Sequence, residues 1–280
     1  MESIQVGDKP YVIPPRPEAI IELSQLLNQE EPDIDKIVVA LKNDVSLYAA
    51  VLGASNTRLF GSGAKITSPT QAVMRLGLQR LNTIVSVAGL KQTLSKAGRL
   101  ERFWDTATEV AELTEQLAKQ FSVGNPDEAY AVGMLHDCGI PLMLEAIPDY
   151  RDFLRASGGT DASLMCQQET ALYGHDHFLL GSKIAKNWHL ADSVCEAIEH
   201  QADFAQLLHE DSAWCDDSKS LLCILLLAKD ISETYRRYWR TSESQTDDRN
   251  LKLALEYLGI SDVEYMDIRD DHLSVLEQIS

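Results

Sequence analysis

Asn125-Pro126-Asp127-Glu128-Ala129-Tyr130-Ala131-Val132-Gly133-Met134-Leu135-His136-Asp137-Cys138-Gly139-Ile140 is the stretch on which the reading of this 280-residue chain turns. Asparagine before proline is a helix start. The Asn side chain accepts an orphan backbone N–H, and proline at the first helical position forgoes only a donor with no partner there. Two acids follow at the positive end of the helix. From Ala131 to Ile140 everything is apolar except His136-Asp137, and burying an ionisable pair is costly unless each member finds a partner. Adjacent helical residues point about 100° apart, so both face one pocket only if that pocket is broad. Gly133 and Gly139 permit close approach of a second helix. Two readings stay open for the pair: a hydrogen-bonded lock between helices, or two metal ligands.

On either side of this stretch helical punctuation dominates. Pro14-Pro15-Arg16-Pro17 is an extended entry, followed by the one-face stripe Ile20, Leu23, Leu26 and Leu27. Asp33 and Asp44 are placed to cap helices over 34–41 and 45–52. Residues 56–64, with two glycines, read as a loop. Ser68-Pro69 opens a helix that Gly77 closes, and 78–94 forms the next. Lys96-Ala97-Gly98-Arg99 marks a boundary between lobes. Beyond it Phe103, Ala107, Val110, Leu113, Leu117 and Phe121 step along a long amphipathic helix. Further helices are predicted at 149–157, 161–172, 177–188, 191–201 and 218–240, with short acidic ones after 247. No period-two strand stands out, so the expectation is an all-α, two-lobed helical bundle. Its parts are an N-terminal arm (1–13), a first lobe (14–98), a second lobe (99–240) and an acidic helical tail (241–280).

Composition narrows the function. Apolar residues make up 45% and charged residues 24%, ordinary for a globular protein. No apolar run approaches the roughly 18 residues of a membrane span, and the first residues do not form a secretion signal. A cytoplasmic location is therefore expected, with no membrane partner. Five cysteines without a C-x-x-C pair argue against a disulfide framework and a zinc ribbon. The net charge of −18 repels phosphate backbones, which sets nucleic acid aside. Between Val45 and Leu100, however, there is no acid, and seven basic residues stand unopposed, among them Arg58, Lys65, Arg75 and Arg80. Either they dock on the acidic remainder of the molecule, or they form a face for an anionic partner.

Nucleotide-loop, nucleophile-elbow and H-E-x-x-H motifs are absent. Histidine is the remaining lead. In His175-Asp176-His177 the aspartate is placed to cap a helix while His177 turns inward, and His200 falls at a helix C-terminus, where a cation is favoured. Trp104, Trp188, Trp214 and Trp239 read as core anchors.

These pieces together resemble the HDOD family, a regulatory branch of the HD phosphohydrolase superfamily. The resemblance spans roughly Pro14 to Ile231. In the first lobe it rests on Pro14-Pro15-Arg16-Pro17, the Asp44 turn, Leu52-Gly53-Ala54-Ser55-Asn56 with Phe60-Gly61, and Ile66 through Ala72-Val73 to Leu76-Gly77. In the second it rests on Phe103-Trp104, Gly133 to Gly139, Gly174 through His177 to Gly181, Trp188 and His200. Val45 stands where the family often has proline, and Ser55-Asn56 reverses the usual order. The resemblance implies an HDOD-specific helical lobe joined to an HD-like helical lobe.

It also implies what an enzyme of the superfamily would need: an earlier His, the His-Asp pair and a later Asp around one or two metal ions, which activate a bound water. Here Thr106 stands at the earlier position. Lys229 occupies the later one, with Asp230 one residue late. His136, Asp137, His177 and His200 are left as a degenerate pocket with no assigned catalytic residue, His136 and Asp137 being its metal candidates. The resulting expectation is a non-catalytic signalling module that binds a protein partner or small anionic ligand. The alternative is a metal-dependent phosphohydrolase acting on a nucleotide or cyclic dinucleotide, with Fe, Mn, Zn or Mg at low occupancy. A third reading is a scaffold in which His136-Asp137 is a packing lock. With no output domain expected in the chain, the regulated target is expected to be another molecule.

Overall fold

The computed structural model describes residues 3–6, 9–12, 16–56, 66–94, 100–208, 215–239 and 245–277. They are all-α apart from one two-stranded ribbon, β1 (Ser3–Val6) paired with β2 (Lys9–Val12). The sequence reading has only an arm there. Ile4, Val6, Tyr11 and Val12 are β-branched or aromatic residues that favour extended backbone, and this short signal is what that reading missed. The chain divides into two compact units, residues 12–96 and residues 97–280, the ribbon residues 3–11 grouping with the latter.

In the first unit α1 (Glu18–Leu27), α2 (Ile34–Lys42), α3 (Val45–Ser55), α4 (Pro69–Leu76) and α5 (Leu78–Leu94) enclose a core of Ile20, Leu23, Ile37, Leu41, Leu47, Val51, Leu81 and Leu90. The predicted caps form. Asp33 accepts from the N–H groups of Asp35 and Lys36, and Asp44 from those of Ser46 and Leu47. Gly77 closes α4 at a φ of +78°, a conformation glycine adopts without penalty. Asn56 clamps the chain on either side of 57–65: its Nδ2 reaches the carbonyls of Leu52 and Ile66, and its Oδ1 accepts the Ile66 N–H, each at 2.8 Å. Asn56→Ala removes all three bonds, and a chemical-denaturation midpoint should register a loss of about 1–3 kcal/mol.

The second unit holds α6 (Glu101–Phe121), α7 (Pro126–Leu135), α8 (Gly139–Ala146), α9 (Tyr150–Ala156), α10 (Ala162–Tyr173), α11 (His177–Asn187) and α12 (Asp192–Glu199). A 3-10 turn over 201–203 leads to α13 (Phe204–Leu207), α14 (Asp216–Ile231), α15 (Glu233–Trp239), α16 (Gln245–Leu258) and α17 (Asp262–Glu277). The apolar α14 packs against α6, α7, α12 and α16. The helices past 241, read from sequence as a tail, thus lie against the body of this unit, with Ala254, Leu255, Tyr265 and Ile268 buried.

Two predicted helices are broken, and each break has an identifiable cause. The helix through 125–140 stops at Leu135, and His136–Cys138 form a turn tightened by the bonds Cys138 N–H to Leu135 O and Ile140 N–H to Asp137 O. Pro141 has no N–H to donate back to Asp137, so an uninterrupted helix would lack that bond. His136-Asp137 therefore sits at a helix joint rather than inside a helix. The predicted 218–240 helix divides at Ser232, whose backbone is extended. Its Oγ accepts the Tyr235 N–H at 3.1 Å and donates to Glu109 Oε1 at 2.9 Å, so it caps α15 and ties it to α6.

Trp104 and Trp188 are buried as expected, whereas Trp239 is only partly covered and Trp214 lies outside the described residues. Four cysteines are buried and Cys215 is exposed; all are free thiols. Among the described residues no single helix is long and apolar enough to cross a membrane.

Candidate functional site

The helix joint aims both members of the His-Asp pair at one point. His136 Nδ1 lies 2.7 Å from the Gly133 carbonyl, which only accepts, so this nitrogen carries a proton and donates it. The other ring nitrogen, Nε2, then faces Asp137 Oδ2 at 3.3 Å. The first turn of α11 brings in His177, whose Nε2 is 4.0 Å from Asp137 Oδ1. Close approach of α8 to α11 makes this meeting possible, because a Cβ on Gly139 would lie 1.9 Å from the His177 carbonyl oxygen. As read from sequence, Asp176 caps α11 by accepting the Leu179 N–H at 2.9 Å.

A buried carboxylate braces His177. Glu169, fully enclosed on α10, accepts from both the His177 ring (Nδ1, 2.7 Å) and its backbone N–H (3.0 Å), and from the Tyr150 hydroxyl (2.5 Å). Burial drives the His177 pKa down, but Glu169, helped by Asp137, outweighs it, so the net shift is upward. Burial likewise pushes the Asp137 carboxyl up. Electrostatic pairing and a hydrogen bond with His136, together with Lys229 and His177, reverse this and hold it well below the usual carboxylate range.

Lys229 completes the group. Its ammonium donates to Gln201 Oε1 at 2.5 Å and lies 4.0 Å from Asp137 Oδ1. It also sits 5.1 Å from the Tyr235 ring centroid and 5.7 Å from that of Phe178, within cation–π range. Gln201 is itself anchored, its amide donating to the carbonyls of His136 (2.7 Å) and Ile198 (3.1 Å). Asp230 accepts the Tyr265 hydroxyl at 2.6 Å and lies 3.7 Å from Arg269, so its carboxylate is committed to α17. One residue along a helix has turned it away from Asp137, as its late position implies.

Two groups of side chains carry metal-ligand atom types. Cys166, Glu169 and His177 bring ligand atoms within 4.8 Å of one another, a grouping of metal-ligand side-chain types. Both Glu169 oxygens and His177 Nδ1 are already hydrogen-bonded to each other or to Tyr150, and burial raises the Cys166 thiol far above its usual pKa. This trio is a brace. The other donor set, His136 Nε2, Asp137 and His177 Nε2, has its imidazoles oriented from behind, as metal-ligating histidines are. It also faces a resident ammonium, and Thr106, buried on α6, supplies no imidazole. With Lys229 in place the set does not fit a divalent ion.

The remaining predicted residues separate. His200 ends α12, its Nδ1 4.0 Å from Asp203, and lines a different small cavity with Glu196 and Lys219. It does not join His136, Asp137 and His177. Of the predicted basic face, Arg75 is partly exposed on α4. Arg80 is 8% exposed, turned inward at the start of α5, and Arg58 and Lys65 lie outside the described residues. Sequence reasoning missed Glu169, Tyr150, Gln201 and Tyr235, whose roles arise only from distant neighbours.

A cavity of about 270 Å³ opens beside Asp137, His177 and Lys229, walled also by α15, α16 and α17.

Comparison with known proteins agrees with this architecture. An uncharacterized protein of Treponema pallidum (strain Nichols) is 23% identical over 200 residues, 70% of this chain; the match covers about two-fifths (39%) of that relative. A Shewanella amazonensis SB2B protein provisionally named a phosphohydrolase has a similar structure (TM-score 0.67, 25% identity, 93% of this chain and 90% of that one). So does an HDOD domain protein of unknown function from Geobacter sulfurreducens (TM-score 0.64, 21% identity, covering 95% and 91%). The HDOD domain model matches residues 13–204, well over half of the sequence, and the chain belongs to the HDOD family.

Proposed function

We propose that this chain is a non-catalytic, cytoplasmic signal-transduction module. Its HD-type pocket is neutralised by its own lysine instead of a metal, and it acts by binding a protein partner or a small anionic ligand. One observation carries this reading: the Lys229 ammonium, held by Gln201, stands 4.0 Å from Asp137 Oδ1. A divalent ion on Asp137 would have to share that carboxylate with a resident cation, and like charges about 4 Å apart repel by roughly 4 kcal/mol per unit of ion charge at an effective dielectric near 20. The family resemblance, Thr106 and the turned-away Asp230 point the same way. Arg75, partly exposed on α4, keeps one basic side chain of the predicted face at the surface of the first unit.

The phosphohydrolase reading keeps one specific support, the orientation of both imidazoles by acceptors behind them. Elemental analysis separates the two. Protein purified without chelator should carry Fe, Mn, Zn and Mg well below one ion per chain. Lys229→Asp, which removes the ammonium and adds a carboxylate donor, should raise affinity for Mn or Zn by about tenfold or more. A stoichiometric ion in the unaltered protein, with phosphoester turnover lost in His136→Ala, would overturn the proposal.

A further inference from the structure

We infer that the cavity between α15 and the C-terminal helices binds a small planar aromatic molecule bearing one anionic group, a carboxylate or a phosphate. The anion would rest on Arg236 and the ring against Tyr235 and Trp239. This deepens the proposed function and takes from it only the premise that Lys229 is already committed to Asp137.

Four cationic side chains line the cavity: His177, Lys229, Arg236 and Arg269. His177 is bound to Glu169, Lys229 to Gln201 beside Asp137, and Arg269 to Asp230. The three carboxylates on the walls are equally engaged. Asp137 faces His136 and Lys229, Asp161 caps α10 by accepting the N–H groups of Ser163 and Leu164, and Asp230 is held by Tyr265. Arg236 is left over. Among the described residues its guanidinium makes no hydrogen bond or ion pair, and its Nε is sealed from solvent without an acceptor. A donor buried in that way costs stability until an acceptor arrives, and a charged donor favours an anionic one.

Shape sets the rest of the ligand. Tyr235 and Trp239 flank Arg236 on α15 with ring centroids 6.4 Å apart, and Leu222, Leu225 and Leu251 add apolar wall. The Trp239 carbonyl accepts the Gly159 N–H at 2.9 Å, which fixes that end of the wall to the α9–α10 connection. An apolar, aromatic lining with one convergent charge is the composition of a small-molecule site. About 270 Å³ lies near the roughly 300 Å³ lower end of such sites, which favours a compact ligand.

Calorimetric titration of the full chain tests this with indole-3-acetate and adenosine 5′-monophosphate, each beside its neutral counterpart (tryptophol, adenosine) and its bare anion (acetate, inorganic phosphate). At least one aromatic anion should bind saturably, its neutral counterpart and its bare anion about tenfold or more weaker; which of the two binds distinguishes carboxylate from phosphate. Arg236→Gln should weaken that binding by about tenfold, Arg236→Lys by less, with both variants unfolding at the wild-type temperature. The inference fails if neither aromatic anion binds, if the neutral counterpart binds as well, or if Arg236→Gln changes nothing. Metal analysis of the same sample keeps the two proposals apart. A metal-loaded chain that binds the probe through Arg236 sinks only the metal-free reading, and a metal-free chain that ignores every probe sinks only this one.

Discussion

Gly139→Ala is expected to cost the second unit about 3 kcal/mol or more, enough to shift its urea midpoint far below that of the unaltered chain. The added Cβ would stand 1.9 Å from the His177 carbonyl oxygen, 2.8 Å from its carbon and 3.0 Å from the Gly181 nitrogen. All three are backbone atoms, so no side-chain rotation relieves the overlap, and α8 and α11 must separate. Overpacking of this kind ordinarily costs about 1–3 kcal/mol, and a clash with main chain lies at the upper end or beyond. Alanine's better helix propensity returns at most about 1 kcal/mol. The φ of Gly139 is not positive, so the penalty reports the close approach alone and not backbone strain.

Gly53→Ala is the matched control. Gly53 lies within α3, also without a positive φ, and among the described residues a Cβ there meets nothing within 4 Å. That variant should be neutral or up to about 1 kcal/mol more stable. Equal midpoints for Gly139→Ala and the unaltered chain would mean that the joint is not packed as described. Because α11 carries His177, a partly folded Gly139→Ala protein should also lose the short distance from His177 to Asp137.

What the sequence made legible were features whose cause is local. Asp33, Asp44, Asn125 and Asp176 cap helices because a short acceptor side chain needs only the next three residues to find its N–H groups. Gly77 ends α4 through its own φ. The breaks at His136–Cys138 and Ser232 were harder. The first depends on Pro141 withholding one bond, and the second on Glu109, a residue on α6 more than a hundred positions earlier. The candidate site divides in the same way. His136, Asp137 and His177 announce themselves by residue type and motif. Gln201 and Glu169, which decide what those residues do, are ordinary polar side chains until folding brings them into place. Lys229 shows both sides: its presence at the ligand position was readable, but its capture by Gln201 was not.

Glu169→Gln is the second large effect, and its signature is a change in pH dependence. The wild-type carboxylate is buried and accepts from Tyr150, the His177 ring and the His177 N–H. Removing one member of a buried charged pair typically costs about 3–5 kcal/mol, because the partner is left without its counter-charge. The sign follows from the direction of the His177 shift. A histidine pKa raised on folding contributes stability that is fully present below its unfolded value near 6.5 and is lost as pH rises through the folded value. Asp137 works in the opposite sense. Its lowered pKa stabilises above the unfolded value near 3.8, and that contribution disappears as pH falls through the folded value. Both contributions are therefore complete between about pH 4 and pH 6.5, and the His177 part declines on the alkaline side. In Glu169→Gln the amide cannot support an imidazolium against burial, so that decline should flatten while the acid limb set by Asp137 remains. Denaturation midpoints from pH 2 to pH 9, with the His177 ring followed by NMR, would show both limbs. Parallel stability curves for the two proteins would mean that Glu169 does not hold a charged His177, and the brace behind the site would have to be redrawn.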